Sequence, residues 1–159
     1  MINSAHRHII CIMTELKIFL SIAISICNLI VFYNDIYFRT VKHRFIIIII
    51  ILGVISLVFS NNVIWQIGAS LIIFCVFFML WMMNIIGGGD VKLIGALFIG
   101  IAPEYSIIAL ATAGILGGVQ ILLMWVSSLI THKDPFSNGI PYTIPLGLSG
   151  WFFFTLSLI

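Results

Sequence analysis

The fold this sequence predicts is an all-α membrane bundle of about six transmembrane helices, and three observations predict it. Hydrophobic residues make up 62% of the 159 positions and charged residues only 8%, with a mean hydropathy of +1.28. Soluble domains carry roughly 25% charged residues. The apolar residues fall in long runs, and positions 45–86 pass without a single charge. Polar, turn-forming clusters interrupt these runs at about the spacing of membrane crossings, each of which needs roughly 20 residues.

Taken in order, residues 1–15 read as a short polar lead with His6, Arg7, His8 and Glu15. His6-x-His8 on a chain terminus is read as solvated rather than as a metal site. The run Ile18–Tyr33 looks like a signal-peptide core but lacks a small-x-small cleavage site, so it is read as part of a retained first helix over about 16–33. The charge-free run 45–86 is too long for one crossing and divides at Ser60-Asn61-Asn62 into helices over 45–60 and 63–86. Further helices are expected over 91–102, 105–130 and 140–159, the last kinked at Pro145. The whole of 1–159 is expected to form one membrane-embedded domain.

Composition also excludes several functions. A net charge of +2 with no basic stripe argues against nucleic acid as a partner. Cys11, Cys27 and Cys75 are widely spaced and odd in number, which fits neither a zinc site nor a disulfide framework. They read as small apolar packing residues, and neither a metal nor a cofactor is expected. In the fifth helix Gly114-x-x-x-Gly118 and Ala113-x-x-x-Gly117 form overlapping small-residue faces, suited to close packing within the bundle or to a dimer contact.

Orientation follows from the loop charges. The connections 34–44, 87–92 and 131–139 share one face by alternation and hold Arg39, Lys42, Arg44, Lys92 and Lys133, five of the seven Lys and Arg residues. That face is therefore expected to be cytoplasmic.

The acidic residues are Glu15, Asp35, Asp90, Glu104 and Asp134. Two expected crossings separate Asp35 from Asp90, and an even number returns the chain to the same face. Both carboxylates thus belong to the cytoplasmic side. Fourteen residues of helix between Asp90 and Glu104 span about 21 Å, against a hydrocarbon core about 30 Å thick. Asp90 is accordingly expected in a polar pocket near the inner boundary. A carboxylate so close to lipid is a functional candidate by default. Gly87, Gly88 and Gly89 directly before it let the backbone turn sharply and let a substrate approach closely.

Two carboxylates that meet cannot both ionise and share a proton. One can then activate water while the other protonates a carbonyl oxygen or a leaving amine. The plainer alternative pairs Asp35 with Arg39 at i,i+4 and makes Asp90 a helix cap. Lys92 is read as an interface anchor, or as a contact to lipid phosphate or to Asp90. Other protease chemistries fit less well. Gly147-Leu148-Ser149-Gly150 matches the GxSG string of rhomboid serine proteases, but that chemistry needs a histidine base. His6, His8, His43 and His132 all fall outside the expected helices, so the string reads as packing. The HExxH of zinc proteases is missing.

Gly87-Gly88-Gly89-Asp90 followed by Val91-Lys92-Leu93 resembles the GxGD motif of the type IV prepilin peptidase family. The stretch Asp35-Ile36-Tyr37-Phe38-Arg39-Thr40-Val41-Lys42-His43 resembles that family's first motif, an aspartate closing the first helix before a basic segment. It departs from the family in having Lys42-His43 where Pro-Asn is expected. Ile140-Pro141-Tyr142 is similar to the start of the family's last helix. The likeness runs from about Leu16 to the C-terminus and is greatest to the short peptidases of tight-adherence (Flp) pilus systems, since no cysteine-rich insert accompanies it. An archaeal preflagellin peptidase shares the plan.

The resemblance implies an aspartic endopeptidase of the bacterial inner membrane, with Asp35 and Asp90 catalytic, prepilin-like substrates and no methyl transfer. The rival expectation from another class is a non-enzymatic membrane subunit or small transporter that uses Asp35 and Asp90 as a proton or cation site.

Overall fold

The computed structural model describes residues 2–38, 42–131 and 142–158. These form six α-helices and, among the described residues, no strand: α1 (Ile2–Phe38), α2 (His43–Ser56), α3 (Val63–Met82), α4 (Gly88–Phe98), α5 (Pro103–Thr131) and α6 (Thr143–Leu158). A 3₁₀ turn, Leu57–Phe59, extends α2. By length and composition, Ile10–Phe38, Val63–Met82 and Pro103–Leu129 are each able to cross a bilayer, and His43–Phe59 and Thr143–Leu158 are shorter apolar helices. The expected loop residues Arg39, His132, Lys133, Asp134, Ile140 and Pro141 lie outside the described residues.

Several helix ends differ from the sequence expectation, among them the end of α1, which runs on through Asp35 to Phe38 rather than stopping at 33. The polar lead joins α1, which starts at Ile2 rather than near 16. No glycine or proline lies between Ile2 and Phe38, so nothing in that stretch breaks the helix. The third helix stops at Met82 rather than at 86, because Asn84 adopts a left-handed conformation, φ 58°. The Asn84 N–H then donates to the Trp81 carbonyl (2.9 Å) and the Ile85 N–H to the Leu80 carbonyl (3.0 Å). That is a Schellman C-cap, with Asn in the place glycine usually takes. The fourth helix is short, 11 residues or about 16 Å, and it ends at Phe98 where 91–102 was expected.

The short α4 is the inner element. Val91, Leu93, Ile94, Ala96, Leu97 and Phe98 are all buried, as expected of a helix that beyond Lys92 is apolar on every side. α2, α3 and α6 cover it. α6 is the hub of the bundle and packs on α1, α4 and α5. Its glycines permit this. A Cβ on Gly150 would meet the Leu97 side chain at 2.7 Å, and one on Gly147 would overlap the Phe32 ring of α1. Polar contacts set the register: Ser149 Oγ donates to the Ala109 carbonyl of α5 (2.6 Å), and the Ser21 and Thr155 hydroxyls share a bond of 3.2 Å between α1 and α6. At the end of the bundle away from the α4 N-terminus, Asn62, Glu104 and Ser157 line one small polar cavity of about 80 Å³.

Candidate active site

Three helix ends converge on the site. α1 brings Asn34 and Asp35 in its last turns, α4 brings Asp90 in its first, and α6 brings Thr143 as its opening residue. Gly87 is the N-cap of α4 and has extended backbone, with no side-chain cap bond. Its carbonyl accepts from the N–H groups of Asp90 (3.1 Å) and Val91 (3.4 Å). Asp90 is therefore the third residue of the helix rather than its cap, and its carboxylate is free for other contacts.

Thr143 is one such contact. Its Oγ1 donates to Asp90 Oδ1 at 3.0 Å, and the threonine is 2% exposed. Gly87 lies beneath the other oxygen: a Cβ there would stand 3.2 Å from Asp90 Oδ2. Gly88 faces Trp81, whose Nε1 would be 3.0 Å from an added Cβ, and Gly89 completes the first turn. Lys92 is exposed and is not among the groups that act on Asp90.

Asp35 is 8% exposed, and its Oδ2 has no hydrogen-bond partner among the described residues. Asn34 beside it is also buried, with its amide nitrogen donating to the Ile30 carbonyl at 2.8 Å. The two aspartates, far apart in sequence, are close enough to act on each other. Asp90 stands at the head of α4, outside the segments long enough to cross a bilayer, and its carboxyl is pushed up to about 6. Burial is the main cause, the Thr143 bond opposes it, and the charge of Asp35 adds to it.

Asp90 also opens onto a cavity of about 810 Å³. α3 contributes Phe77 and Leu80 to its wall, and the connection to α4 adds Ile85 and Ile86. Leu110, Ala113 and Gly114 of α5 face them, with Tyr142 and Leu146 closing the α6 side. Asp35 is not part of this wall. The GxSG string plays a packing role, since Ser149 is buried against α5 while His8 and His43 are exposed.

The profile of the type IV leader peptidase family matches residues 22–122. The chain belongs to that family. No curated protein and no solved structure matches it. As a type IV leader peptidase-like protein it is a membrane protease. The matched segment includes both aspartates and the three glycines of this leader peptidase but ends before α6. Thr143 is the site residue that sequence reading missed. The available signal was a hydroxyl at the start of the last apolar run, at the end of that run where Asp35 and Asp90 also fall.

Proposed function

We propose that this leader peptidase is an aspartic endopeptidase in which Asp35 and Asp90 share one proton and cleave the leader of prepilin-like proteins. The cleavage is placed at the cytoplasmic face of the inner membrane. The observation that carries this reading is that the fold brings Asp35 near enough to Asp90 for its charge to add to the effect of burial, which is the main cause of the raised Asp90 carboxyl. Two neighbouring carboxylates shielded from water favour holding one proton between them. The ionised one takes a proton from water as the water oxygen attacks the scissile carbonyl. The protonated one gives its proton to the carbonyl oxygen. Collapse of the tetrahedral intermediate expels the amine, which leaves with a proton returned by the dyad. Lys and Arg concentrated on the face that carries the dyad support the cytoplasmic placement.

Co-expression with a prepilin, read as loss of the leader on a gel, tests the reading. An uncleaved substrate beside a well-accumulated enzyme would count against it.

A pH profile follows from the raised carboxyl of Asp90. The shared proton is kept below its pKa and lost above it. In proteoliposomes, kcat/KM should therefore fall as pH rises through an apparent pKa near 6. A flat profile between pH 5 and 8 would contradict the shared proton.

Thr143 acts as a positioning residue in this scheme. Thr143→Val removes a bond that favours the ionised carboxylate, so the falling limb of the profile should move to higher pH. The rate at its optimum should drop about tenfold, the scale of one hydrogen bond to a charged group. Thr143→Ser keeps the hydroxyl and should restore both. A purely structural threonine would lower the rate without moving the limb.

A further inference from the structure

The overlapping small-residue faces of α5 separate in the structure. Gly114 and Gly118 lie in open space, with nothing within 4 Å of an added Cβ. Gly117 is buried, and a Cβ there would stand 2.8 Å from Tyr142 Cε1 and 3.0 Å from its Cζ and its hydroxyl oxygen. The Tyr142 ring thus lies directly on the α5 backbone, in a seat that only glycine leaves open.

Tyr142 stands at the head of α6. Its carbonyl accepts from the Leu146 N–H at 3.3 Å, so the residue that rests on α5 also starts the helix. The next residue is Thr143, whose hydroxyl donates to Asp90. Pro145 lies buried in the same turn and fixes the backbone φ there, so a shift of Tyr142 is carried into Thr143. Two turns on, Ser149 donates to the Ala109 carbonyl of α5. The pairs 142 with 117 and 149 with 109 run in opposite senses along the chain, as antiparallel helices require. The Ser149 bond fixes α6 near its middle, and the Tyr142 seat fixes the end that carries Thr143. At 3.0 Å the Thr143 bond is at the long end of the O–H···O range and tolerates little further displacement.

We propose that Tyr142 is a positioning residue: its ring, seated on Gly117, fixes the first turn of α6 and so holds the Thr143 hydroxyl on Asp90. The proposal deepens the protease reading above and rests on it for the effect on cleavage, though not for the contact itself. Asp35 of α1 is the charged group that acts on the Asp90 carboxyl, and Lys92 of its own helix does not. His43 and Arg44 of α2 are exposed. α3 and α5 bring no titratable side chain to the shared cavity wall, where α6 brings Tyr142.

The test uses the full-length enzyme and two readouts, kcat/KM against pH in proteoliposomes and melting temperature against pH in detergent. Tyr142→Ala should lower kcat/KM roughly tenfold, the scale of the bond it loosens, and should move the falling limb to higher pH as Thr143→Val does. The pH at which the stability held by Asp90 is lost should rise in both variants, because each weakens a bond that favours the ionised carboxylate. Tyr142→Phe keeps the ring and should behave as wild type. Gly117→Val unseats the ring and should match Tyr142→Ala, whereas Gly118→Val should not. Tyr142→Ala added to Thr143→Val should move neither profile further. Unmoved profiles in Tyr142→Ala and Gly117→Val would overturn the proposal and leave Tyr142 as cavity wall. Additive shifts in the double variant, or a Tyr142→Phe as impaired as Tyr142→Ala, would overturn it in favour of a separate role for the tyrosine. A Thr143→Val that moves neither profile would overturn it as well, since there would be no bond to hold. The melting profile does not depend on cleavage, so leader cleavage that survives Asp90→Asn removes the aspartic mechanism and still leaves the positioning contact to be read.

Discussion

Asp90→Asn and Asp35→Asn should each abolish leader cleavage, a loss of roughly 10³-fold or more, while the protein still accumulates in the membrane. Asparagine keeps the size of aspartate and much of its hydrogen bonding, including an acceptor for Thr143, but it cannot take up the proton that water gives. The two groups act as one unit, so neither single variant should keep a large share of the activity and the double variant should be little worse. Stability should move the other way for Asp90. Its carboxyl is raised from the ordinary 3.8 to about 6, mainly by burial, so the folded protein holds more protons than the unfolded chain between those values. Stability from this group is therefore lost as pH rises through that window, and above it the buried charge costs on the order of 1–3 kcal/mol. Asp90→Asn removes that cost, and its melting temperature at pH 7–8 should equal or exceed that of the wild type. Glu104→Gln, at the far end of the bundle, should keep most activity. Cleavage that persists in Asp90→Asn would sink the aspartic mechanism and return the site to the rival reading, a proton or cation site in a non-enzymatic protein.

Gly147→Leu is expected to have the next largest effect, through the fold. Gly147 lies where α6 meets α1, and any Cβ there overlaps the Phe32 ring and comes within 3.3 Å of Asn28 Oδ1. The nearest relief is for α1 to move away from α6. Overpacking of this kind costs about 1–3 kcal/mol, occasionally more, which corresponds to a fall in melting temperature of about 2–12 °C for a chain of this size. Activity should fall further than stability, because α1 carries Asp35 and its displacement takes that carboxyl away from Asp90. Thermal unfolding in detergent and leader cleavage on the same preparation read the two effects. A Gly147→Leu variant with wild-type melting and wild-type cleavage would show that the α1–α6 contact does not hold Asp35 in place.

The class of fold was legible in the sequence because its cause is local: apolar runs of crossing length, broken by Ser60-Asn61-Asn62 and by Pro103-Glu104, leave a helical bundle in lipid as the available solution. The candidate pair was legible for a topological reason. Two helices between Asp35 and Asp90 bring the chain back to the end it left, whatever the details of packing. Helix ends were less legible. A left-handed Asn84 stops α3 four residues early, and the lack of any breaker lets α1 run back to Ile2. Neither is visible in hydropathy.

What remained belongs to contacts between residues far apart in the chain. Thr143 reaches Asp90 across 53 positions, and α6 packs on α1, α4 and α5 at once, because Gly147 and Gly150 let it approach α1 and α4 together. The placement of Asp90 on the cavity wall, with Asp35 off it, has the same origin. Periodicity and composition state which residues prefer to be buried and which ends share a face. Which side chain meets which is decided by the close packing of whole helices, and at this site that packing sets the protonation of Asp90.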